Sequence, residues 1–378
     1  MNNTVPLFNS KASTFSAVLV FCIVLLAGLS TPAFLSAQPQ KAFNVIAYFA
    51  GGPSKVSTIR PKMLTHVIYS FCGLKGNKLY LRDTVTVRRL VALKKQNPQL
   101  KVLLMLGGWG GCETCSDLFR SAVNREAFAL SVKKACEKLK VDGLDLDWEY
   151  PVVEGYPGHK YSPDDRHTFT LLVQQLRKTL GWQYEVSFAA GGFQEYLEKS
   201  IDWPLVMKEV DRVNIMSYDL VNGYSKVTGH HTPLYSTPQL KESVDNAVSY
   251  LLAQGVPAGK IAIGAAFYAR VWQNVSPANN GLYQAATFRN TAAISSVDSW
   301  YTAVNGYQYF WDDIAKAPFL YNATKKLFVT FDNNESIRAK TNYMMNKNLN
   351  GIMFWQIAHD KKKESLLGTI DEVIKGHQ

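Results

Sequence analysis

Short apolar runs, rich in β-branched and aromatic residues, recur along the chain, and segments long enough for a helix separate most of them. Runs of this kind predict β-strands. Strands that alternate with helical segments form parallel βα units, so eight of them predict an α/β fold, a closed (β/α)8 TIM barrel. The predicted strands are Asn44–Phe49, His66–Phe71, Val102–Leu106, Gly143–Trp148, Glu185–Ala189, Arg212–Met216, Ile261–Phe267 and Gly351–Gln356.

The segment after the fourth strand carries a clear helical pattern. Ser162 can cap the helix, Pro163 suits its first turn, and Gly181 can end it. Its apolar face comprises Phe169, Leu172, Leu176 and Leu180. A polar loop at residues 152–161 precedes this helix, on the side of a barrel where active sites are built.

The interval between the seventh and eighth strands, residues 268–350, is far longer than one crossover helix requires. Its middle, residues 271–330, is rich in aromatic and mixed polar residues. We predict a small α+β insertion there that walls one side of the cleft. The barrel would then comprise residues 38–270 and 331–378.

Acidic residues alternate along the predicted fourth strand, within residues 142–150. Because alternate side chains of a strand project to opposite faces, Asp145, Asp147 and Glu149 should share one face. Like charges so close together cannot all ionise cheaply. We therefore expect at least one proton to be retained near neutral pH and the group to titrate as a coupled unit.

Two other interpretations of these carboxyls are possible. A solvated acidic face is disfavoured because Leu144, Leu146 and Trp148 occupy the opposite face, which indicates burial on both sides. A divalent cation accepts carboxylates, but such sites usually collect oxygen ligands from a flexible loop rather than from one regular strand. We expect neither a metal nor a cofactor.

Aromatic and polar residues fall at the ends of the other predicted strands, which open into one mouth of a barrel. Sugar rings offer apolar C–H faces for stacking and hydroxyls for hydrogen bonding, so such a mouth favours a carbohydrate. Any single aromatic could belong to the core, and it is their coincidence at strand ends that favours binding. The candidate binding residues at this mouth are Tyr48, Phe71, Trp109, Tyr150, Met216, Asp219, Arg270 and Trp355.

Residues 1–37 contain Lys11 as their only charge and an apolar core at residues 17–29. That core is short for a membrane span, and small residues follow it before Gln38. We predict a cleavable signal peptide and a secreted or periplasmic protein. A retained membrane anchor is the alternative.

The formal net charge of +11 would permit binding to nucleic acid. However, the Lys and Arg residues are dispersed and no recognition motif accompanies them. With 47% hydrophobic and 19% charged residues, the composition is that of an ordinary globular protein with a large core. We expect a monomer that binds no nucleic acid and that is not attached to a membrane once the signal peptide has been cleaved.

Four cysteines remain once Cys22 is removed with the signal peptide, an even number that suits an oxidising compartment. Cys112 and Cys115 have the spacing of a redox motif but follow a glycine-rich turn with no thioredoxin-like pattern around them. We therefore favour a loop-stiffening disulfide over a redox centre or a zinc site. Cys72 and Cys136 stay unassigned.

These residues resemble glycoside hydrolase family 18, the chitinase family, through most of the chain after the predicted signal peptide. The most specific match is DGLDLDWE at residues 142–149, which contains the family's DGxDxDxE signature in full. Supporting matches are Met216-Ser217-Tyr218-Asp219, Tyr268-Ala269-Arg270 and Trp355. The predicted insertion resembles the chitinase insertion domain.

The resemblance implies a substrate-assisted reaction. Glu149 would protonate the glycosidic oxygen while the substrate's own 2-acetamido oxygen attacks the anomeric carbon, with retention of configuration. Asp147 would orient the acetamido group and pass charge to Asp145. Tyr218 would hydrogen-bond the same group, and Trp355 would form the apolar floor.

The resemblance also implies roles for residues around these. Asp219 and Arg270 would bind near the same subsite, Trp109 would stack on the product side, and Asp142 would be a structural member of the acidic relay. One position departs from the family, which often has Ser-x-Gly-Gly on the third strand. This chain has Met105-Leu106-Gly107-Gly108, so the serine that would hydrogen-bond the relay is absent.

Our first functional hypothesis is an exported, endo-acting chitinase that cleaves β-1,4-linked N-acetylglucosamine polymers. An endo-β-N-acetylglucosaminidase acting on glycoprotein glycans is the alternative within the same chemistry, and the aromatic walls of the insertion favour the chitin chain over it. A chitin-binding lectin on the same barrel is the third hypothesis. Such lectins generally lose the acid at the position of Glu149, which is present here.

Overall fold

Eight parallel strands close into a barrel in the computed structural model, which describes residues 43–377. The predicted signal peptide, residues 1–37, lies outside the described residues. The strands of residues 43–377 are β1 (Asn44–Phe49), β2 (His66–Lys75), β3 (Lys78–Tyr80), β4 (Lys101–Gly107), β5 (Gly143–Asp147), β6 (Glu185–Gly191), β7 (Arg212–Met216), β8 (Ile261–Ala266), β9 (Tyr268–Gln273), β10 (Thr287–Ala293), β11 (Gln308–Asp312), β12 (Ala317–Asn322), β13 (Leu327–Thr330) and β14 (Gly351–Trp355). The α-helices of the same range are α1 (Thr84–Ala92), α2 (Cys115–Phe119), α3 (Ala122–Leu139), α4 (Asp165–Leu180), α5 (Gln194–Lys199), α6 (Trp203–Glu209), α7 (Val244–Ala253), α8 (Ile294–Trp300), α9 (Asn334–Asn346) and α10 (Leu366–Gly376).

The barrel strands follow the order β1-β14-β8-β7-β6-β5-β4-β2, and a parallel pairing of β1 with β2 closes the barrel. The predicted TIM barrel is therefore confirmed. The largest difference in strand length is at β2, which continues past Phe71 to Lys75. Its last residues pair with β3 in an antiparallel hairpin, which the apolar pattern alone does not reveal.

Helices connect most of the barrel strands, but the crossover from β1 to β2 uses 3-10 turns at Pro53–Thr58 and Pro61–Met63 instead. The helix predicted to be capped by Ser162 begins later, at Asp165. The reason is a turn in front of it, in which the Asp165 carboxylate accepts a hydrogen bond from the Ser162 N–H at 2.7 Å. Among residues 43–377, no helix is both long enough and apolar enough to cross a membrane.

The two faces of β5 show how the barrel separates apolar from polar side chains. Leu144 and Leu146 belong to the main core, which lies between the strands and the surrounding helices. The interior of the barrel holds a smaller apolar cluster. Beside that cluster lie buried polar residues, Asp145, Ser187, Arg212 and Asn214.

A second sheet is formed by the chain between β8 and β14. It is antiparallel, has five strands in the order β10-β9-β13-β12-β11, and includes α8 in its connections. The insertion was predicted to start at residue 271, whereas β9 begins at Tyr268. The earlier start follows from pairing, because Tyr268 and Ala269 already lie opposite β10, and Arg270 lies opposite both β10 and β13.

A fully buried ion pair, Asp332 with Lys340, joins the end of the second sheet to α9. Lys340 Nζ donates to the two carboxylate oxygens at 2.8 and 2.7 Å and to Thr232 Oγ1 at 2.6 Å. Asp332 also accepts from the Ala266 N–H and the Ser336 hydroxyl. These additional hydrogen bonds offset the desolvation of both charges.

We expect Lys340→Met to lower the free energy of unfolding by about 3–5 kcal/mol, because the charge of Asp332 would stay buried without its partner. Urea unfolding followed by tryptophan fluorescence measures this loss. Lys375→Met is the matched control, since Lys375 makes an i,i+4 pair with Asp371 and is itself mostly exposed. Such a pair contributes little to stability, and equal losses in the two variants would contradict this account.

Candidate active site

The three predicted carboxyls lie at the carboxyl end of β5. Asp145 and Asp147 are on the strand itself, and Glu149 follows two residues beyond its end. Their exposed fractions are 0%, 3% and 8% in that order. Glu149 is therefore the carboxyl closest to solvent, and Asp145 is the deepest.

Asp145 is held by three neutral donors. Its Oδ1 accepts from the Ser187 hydroxyl at 2.5 Å and the Asn214 amide at 2.9 Å, and its Oδ2 accepts from the Tyr48 hydroxyl at 2.9 Å. Burial raises the pKa of Asp145 to about 6, and the Ser187 hydrogen bond and the charge of Arg212 are the main effects that oppose this rise. Donors on both oxygens favour the ionised form of Asp145.

Asp147 and Glu149 are the members of the cluster that retain protons. Burial, and then the charges of Glu149 and Asp145, raise the pKa of Asp147 well above its usual range. Burial raises the pKa of Glu149 to about 7, against a hydrogen bond with Tyr150. The cluster thus holds a proton near neutral pH, as the alternation along β5 predicts.

Two glycines fix the backbone of Asp147. Gly107 has a φ of 108°, and a Cβ added to it would lie 2.0 Å from the carbonyl oxygen of Asp147. The N–H of Gly108 donates to the same oxygen at 2.9 Å. Only glycine permits this close approach of β4 to β5, so the pair orients the acidic strand and presents Trp109 beside it.

An aromatic floor lies beside the carboxyls. Trp355, at the end of β14, has its ring centroid 6.1 Å from that of Tyr48 and 5.4 Å from that of Phe71. Met216 and Tyr218 pack, together with Trp355, against the apolar cluster of the barrel interior. Strand ends that are distant in sequence therefore build one apolar surface, which suits the C–H face of a sugar ring.

Asp219 and Arg270 form a bidentate ion pair at the mouth, in which Nε and Nη2 of Arg270 donate to the two carboxylate oxygens. Nδ1 of His231 lies 3.5 Å from Oδ1 of the same carboxylate. Although burial opposes it, the hydrogen bonds from His231 and Arg270 hold the pKa of Asp219 well below its usual range. Asp219 is therefore an anion at neutral pH, and its charge helps to raise the pKa of Glu149.

Trp109 is 46% exposed and is surrounded by three tyrosines. Its ring centroid lies 6.4 Å from that of Tyr150, 5.7 Å from that of Tyr156 and 6.2 Å from that of Tyr224. Because Tyr150 hydrogen-bonds Glu149, this aromatic surface reaches the acid. Sequence reasoning did not single out Tyr156 and Tyr224, and the available signal was an aromatic residue within a polar loop.

Cys112 and Cys115 form a disulfide in the turn that follows Trp109, with their Cα atoms 5.3 Å apart. This bridge closes the turn that leads into α2. Cys72 and Cys136 are buried thiols. Burial raises the pKa of each to about 12, so neither has the character of a reactive thiolate.

The structure corrects the prediction for Asp142, which lies outside the acidic cluster. Asp142 precedes β5, and its carboxylate lies 2.6 Å from Lys94 Nζ and accepts from the Val102 N–H at 2.6 Å. It therefore sits at the amino-terminal end of β5, whereas Glu149 follows the carboxyl end. Its contacts join the start of β5 to β4, and the relay role is wrong.

Met105 occupies the place where the family often has a serine, and it accepts a hydrogen bond from the Ser70 hydroxyl at 3.0 Å. The donors to Asp145 come instead from Ser187 on β6 and Asn214 on β7. Sequence reasoning missed both. Each is a polar residue at an inward position of a largely apolar strand, which is the signal that could have found them.

The mouth of the barrel thus combines a carboxyl that holds its proton near pH 7, a second carboxyl with a buried Oδ1 that has no partner among the described residues, and an aromatic floor. The unpaired oxygen belongs to Asp147. This combination suits general acid–base chemistry on a sugar that lies over the floor.

Comparison with known proteins agrees with this geometry. Residues 44–360 match the model of glycosyl hydrolases family 18. The chain is 35% identical over 426 residues to chitinase A1 of Niallia circulans, covering 90% of this chain and 60% of that protein, so it spans less than two thirds of that relative's length.

Solved structures show the same similarity. A family 18 N-acetylglucosaminidase from Paenibacillus barengoltzii aligns with a TM-score of 0.81 at 32% identity, covering 88% of this chain and all (100%) of that one. The group IV chitinase of Ostrinia furnacalis, in complex with allosamidin, aligns with a TM-score of 0.82 at 27% identity, covering 89% and 99%. The chain belongs to glycosyl hydrolases family 18 and is a chitinase-like glycoside hydrolase.

Proposed function

We propose that this protein is an exported chitinase that cleaves β-1,4-linked N-acetylglucosamine polymers by substrate-assisted, retaining hydrolysis. The observation that carries the proposal is the juxtaposition, at the carboxyl end of β5, of Glu149, which holds a proton near pH 7, with Asp147, whose buried Oδ1 has no partner among residues 43–377. Family membership and the chitinase relatives support it.

Glu149 is the proton donor in this proposal. Its raised pKa keeps the carboxyl protonated up to about pH 7, and its position nearest to solvent lets it reach the glycosidic oxygen. The bond from the anomeric carbon to that oxygen breaks as the proton of Glu149 moves to the leaving alcohol. The resulting carboxylate then removes a proton from the water that attacks the anomeric carbon.

The nucleophile in this proposal is the 2-acetamido oxygen of the substrate, and Asp147 orients it. The N–H of a 2-acetamido group needs an acceptor when it is buried, and Oδ1 of Asp147 has no partner among the described residues. A hydrogen bond there orients the acetamido group so that its oxygen faces the anomeric carbon, at the position from which it attacks. The buried polar atom of the free protein is thus satisfied by the substrate.

Tyr218 and Trp355 shape the subsite around this group. Both pack against the interior apolar cluster, and burial raises the pKa of Tyr218 well above its usual range, so its hydroxyl stays a donor. A donor at this position can bind the acetamido oxygen. The indole of Trp355 presents a flat apolar surface on which a distorted sugar ring can rest.

The alternatives differ in substrate or in turnover. An endo-β-N-acetylglucosaminidase would use the same carboxyls on a glycoprotein glycan. Two aromatic groups at the mouth, Phe71 with Trp355 and Trp109 with Tyr224, favour a polymeric chitin chain instead. A lectin would not need a protonated carboxyl at Glu149. Export rests on the signal-like sequence of residues 1–37.

Glu149→Gln should lower reporter release from N-acetylchitooligosaccharides by at least 10²-fold, because an amide cannot transfer the proton. The matched control is Glu154→Gln, an exposed carboxyl in the loop that follows, which should leave the rate unchanged. Binding without release by the wild-type protein would remove the enzyme proposal and support the lectin.

The acetamido requirement predicts that fully deacetylated chitosan and cellulose are not cut, since neither carries the internal nucleophile. Reducing-end assays with chitin, chitosan and cellulose at equal mass measure this difference. Efficient cleavage of cellulose would overturn the substrate-assisted mechanism. Faster release of glycans from a glycoprotein than of products from a chitin hexamer would favour the glycan-specific alternative.

Glu149→Gln should also stabilise the folded protein above neutral pH. The pKa of Glu149 is raised from 4.5 to about 7 in the folded state, so stability falls as the pH rises through this window. Glutamine has no such proton, and the variant should gain roughly 1–3 kcal/mol over the wild type above this window and nothing below it. Urea unfolding across the window measures the gain, and an advantage that does not depend on pH would contradict the assignment.

A further inference from the structure

A buried cation lies in the barrel interior beneath Asp145 and has no part in the mechanism above. Arg212, the first residue of β7, is only 2% exposed and is among the largest fully buried side chains. Burying a guanidinium without partners is costly, so its contacts must account for its presence. Those contacts point in two directions.

Toward the amino-terminal end of the barrel, Arg212 meets an ionic group. Its Nη1 lies 3.6 Å from the Glu185 carboxylate and 3.4 Å from Nε2 of His66. Glu185 also pairs with Lys101 at 2.5 Å and with His66 at 3.0 Å. Burial lowers the pKa of His66 to about 4, so His66 is neutral near pH 7. Two cations then face one anion, and the group keeps a positive charge beneath Asp145.

Toward Asp145, Arg212 touches two of the residues that donate to that carboxylate. Its Nε donates to Oδ1 of Asn214 at 2.9 Å, and its Nη2 lies 3.5 Å from Oγ of Ser187. A guanidinium can only donate hydrogen bonds. The amide oxygen of Asn214 is therefore turned to Arg212, and its NH₂ is left to face Asp145 and Tyr48, at 2.9 and 3.1 Å.

The same argument applies to Ser187. Its oxygen accepts from Arg212, so its single proton is directed to Asp145 at 2.5 Å. The Tyr48 hydroxyl accepts from Asn214 and donates to Asp145. Every hydrogen bond between Arg212 and Asp145 thus runs in one direction, away from the guanidinium.

We propose that Arg212 is a positioning residue that fixes the direction of these hydrogen bonds and so holds Asp145 as the anion of the acidic cluster. The retained proton is then directed to Asp147 and Glu149, where the chemistry needs it. The inference deepens the proposed function and rests on it for its catalytic meaning. It also explains how the site does without the serine that Met105 replaces.

Among the charged and titratable groups that surround Asp145, Arg212 is the cation that stabilises its ionised form. Asp147, on the same strand, supplies no positive charge, and Tyr48 and Tyr218 have pKa values raised by burial and stay neutral. Met105, on the neighbouring strand β4, contributes no charge. Glu185, His66 and Lys101 lie on the far side of Arg212.

The test is the pH dependence of kcat/KM on a chitin oligosaccharide. Arg212→Met should move the acid limb to higher pH by about one unit, because Asp145 loses the cation that favours its ionised form. Arg212→Lys keeps the charge and should restore at least half of that shift. Lys101→Met removes a half-exposed cation that contacts Glu185 but none of the donors to Asp145, so it should move the limb much less than Arg212→Met does.

A merely structural role for Arg212 gives a different result, namely a lower rate by the same factor at every pH and a lower melting temperature. That outcome would overturn the proposal. If Arg212→Met does not fold, Glu185→Gln provides the converse test. Removal of the anion that partly offsets Arg212 should move the acid limb to lower pH, and an unmoved or raised limb would contradict the proposal.

A second readout does not depend on turnover. Aspartate labelled with ¹³C at the carboxyl carbon, assigned with Asp145→Asn, reports the titration of Asp145 by NMR. Its apparent pKa should rise from about 6 in the wild type to a higher value in Arg212→Met. An unchanged titration refutes the role of Arg212 even in an active enzyme, whereas a shifted titration in a protein without chitinase activity refutes only the proposed function.

Discussion

The burial of three carboxyls at one end of a single strand is the constraint on which the rest of the site depends. Asp145, Asp147 and Glu149 are all at least nine-tenths buried, and water cannot screen their mutual repulsion. A charge in such a place persists only with donors, and otherwise a proton is retained. The protein uses both solutions, since donors hold Asp145 and raised pKa values keep protons on its neighbours.

The barrel makes this arrangement possible because neighbouring strands reach the same interior at different points of the sequence. Ser187 and Asn214 arrive from β6 and β7, 42 and 69 residues after the carboxyl that they bind. Tyr48 lies on β1, 97 residues before Asp145 in the sequence. The second sheet adds Arg270, whose hydrogen bonds to Asp219 keep that carboxyl ionised at the mouth. Each element supplies one group to the same small volume.

Much of this follows from the sequence, because strand alternation is a local property. The eight barrel strands and the shared face of Asp145, Asp147 and Glu149 could be predicted from residue spacing alone. The relay role given to Asp142 came from the family motif and not from alternation, which argues against it. An even number separates the three acids from one another, and an odd number separates Asp142 from each of them, so alternation itself places it on the other face.

Non-local contacts account for the other differences. The start of the second sheet at Tyr268 and the length of β2 depend on which strands pair, and the donors to Asp145 depend on the closure of the barrel. The shift of the α4 start to Asp165 is a local exception, because the Asp165 side chain closes a turn with Ser162, three residues earlier. A pattern along one segment carries no information about its partner, which is why Ser187, Asn214 and Arg212 emerged only from the structure.

The central claim is that the carboxyls of β5 act on a nucleophile that the substrate supplies. Its most direct test is the anomeric configuration of the reducing end formed from a chitin oligosaccharide, observed by ¹H NMR before mutarotation. The mechanism passes through two displacements at the anomeric carbon, first by the acetamido oxygen and then by water, so it predicts the β anomer as the first product. Initial release of the α anomer would mean a single displacement by water and would contradict the account.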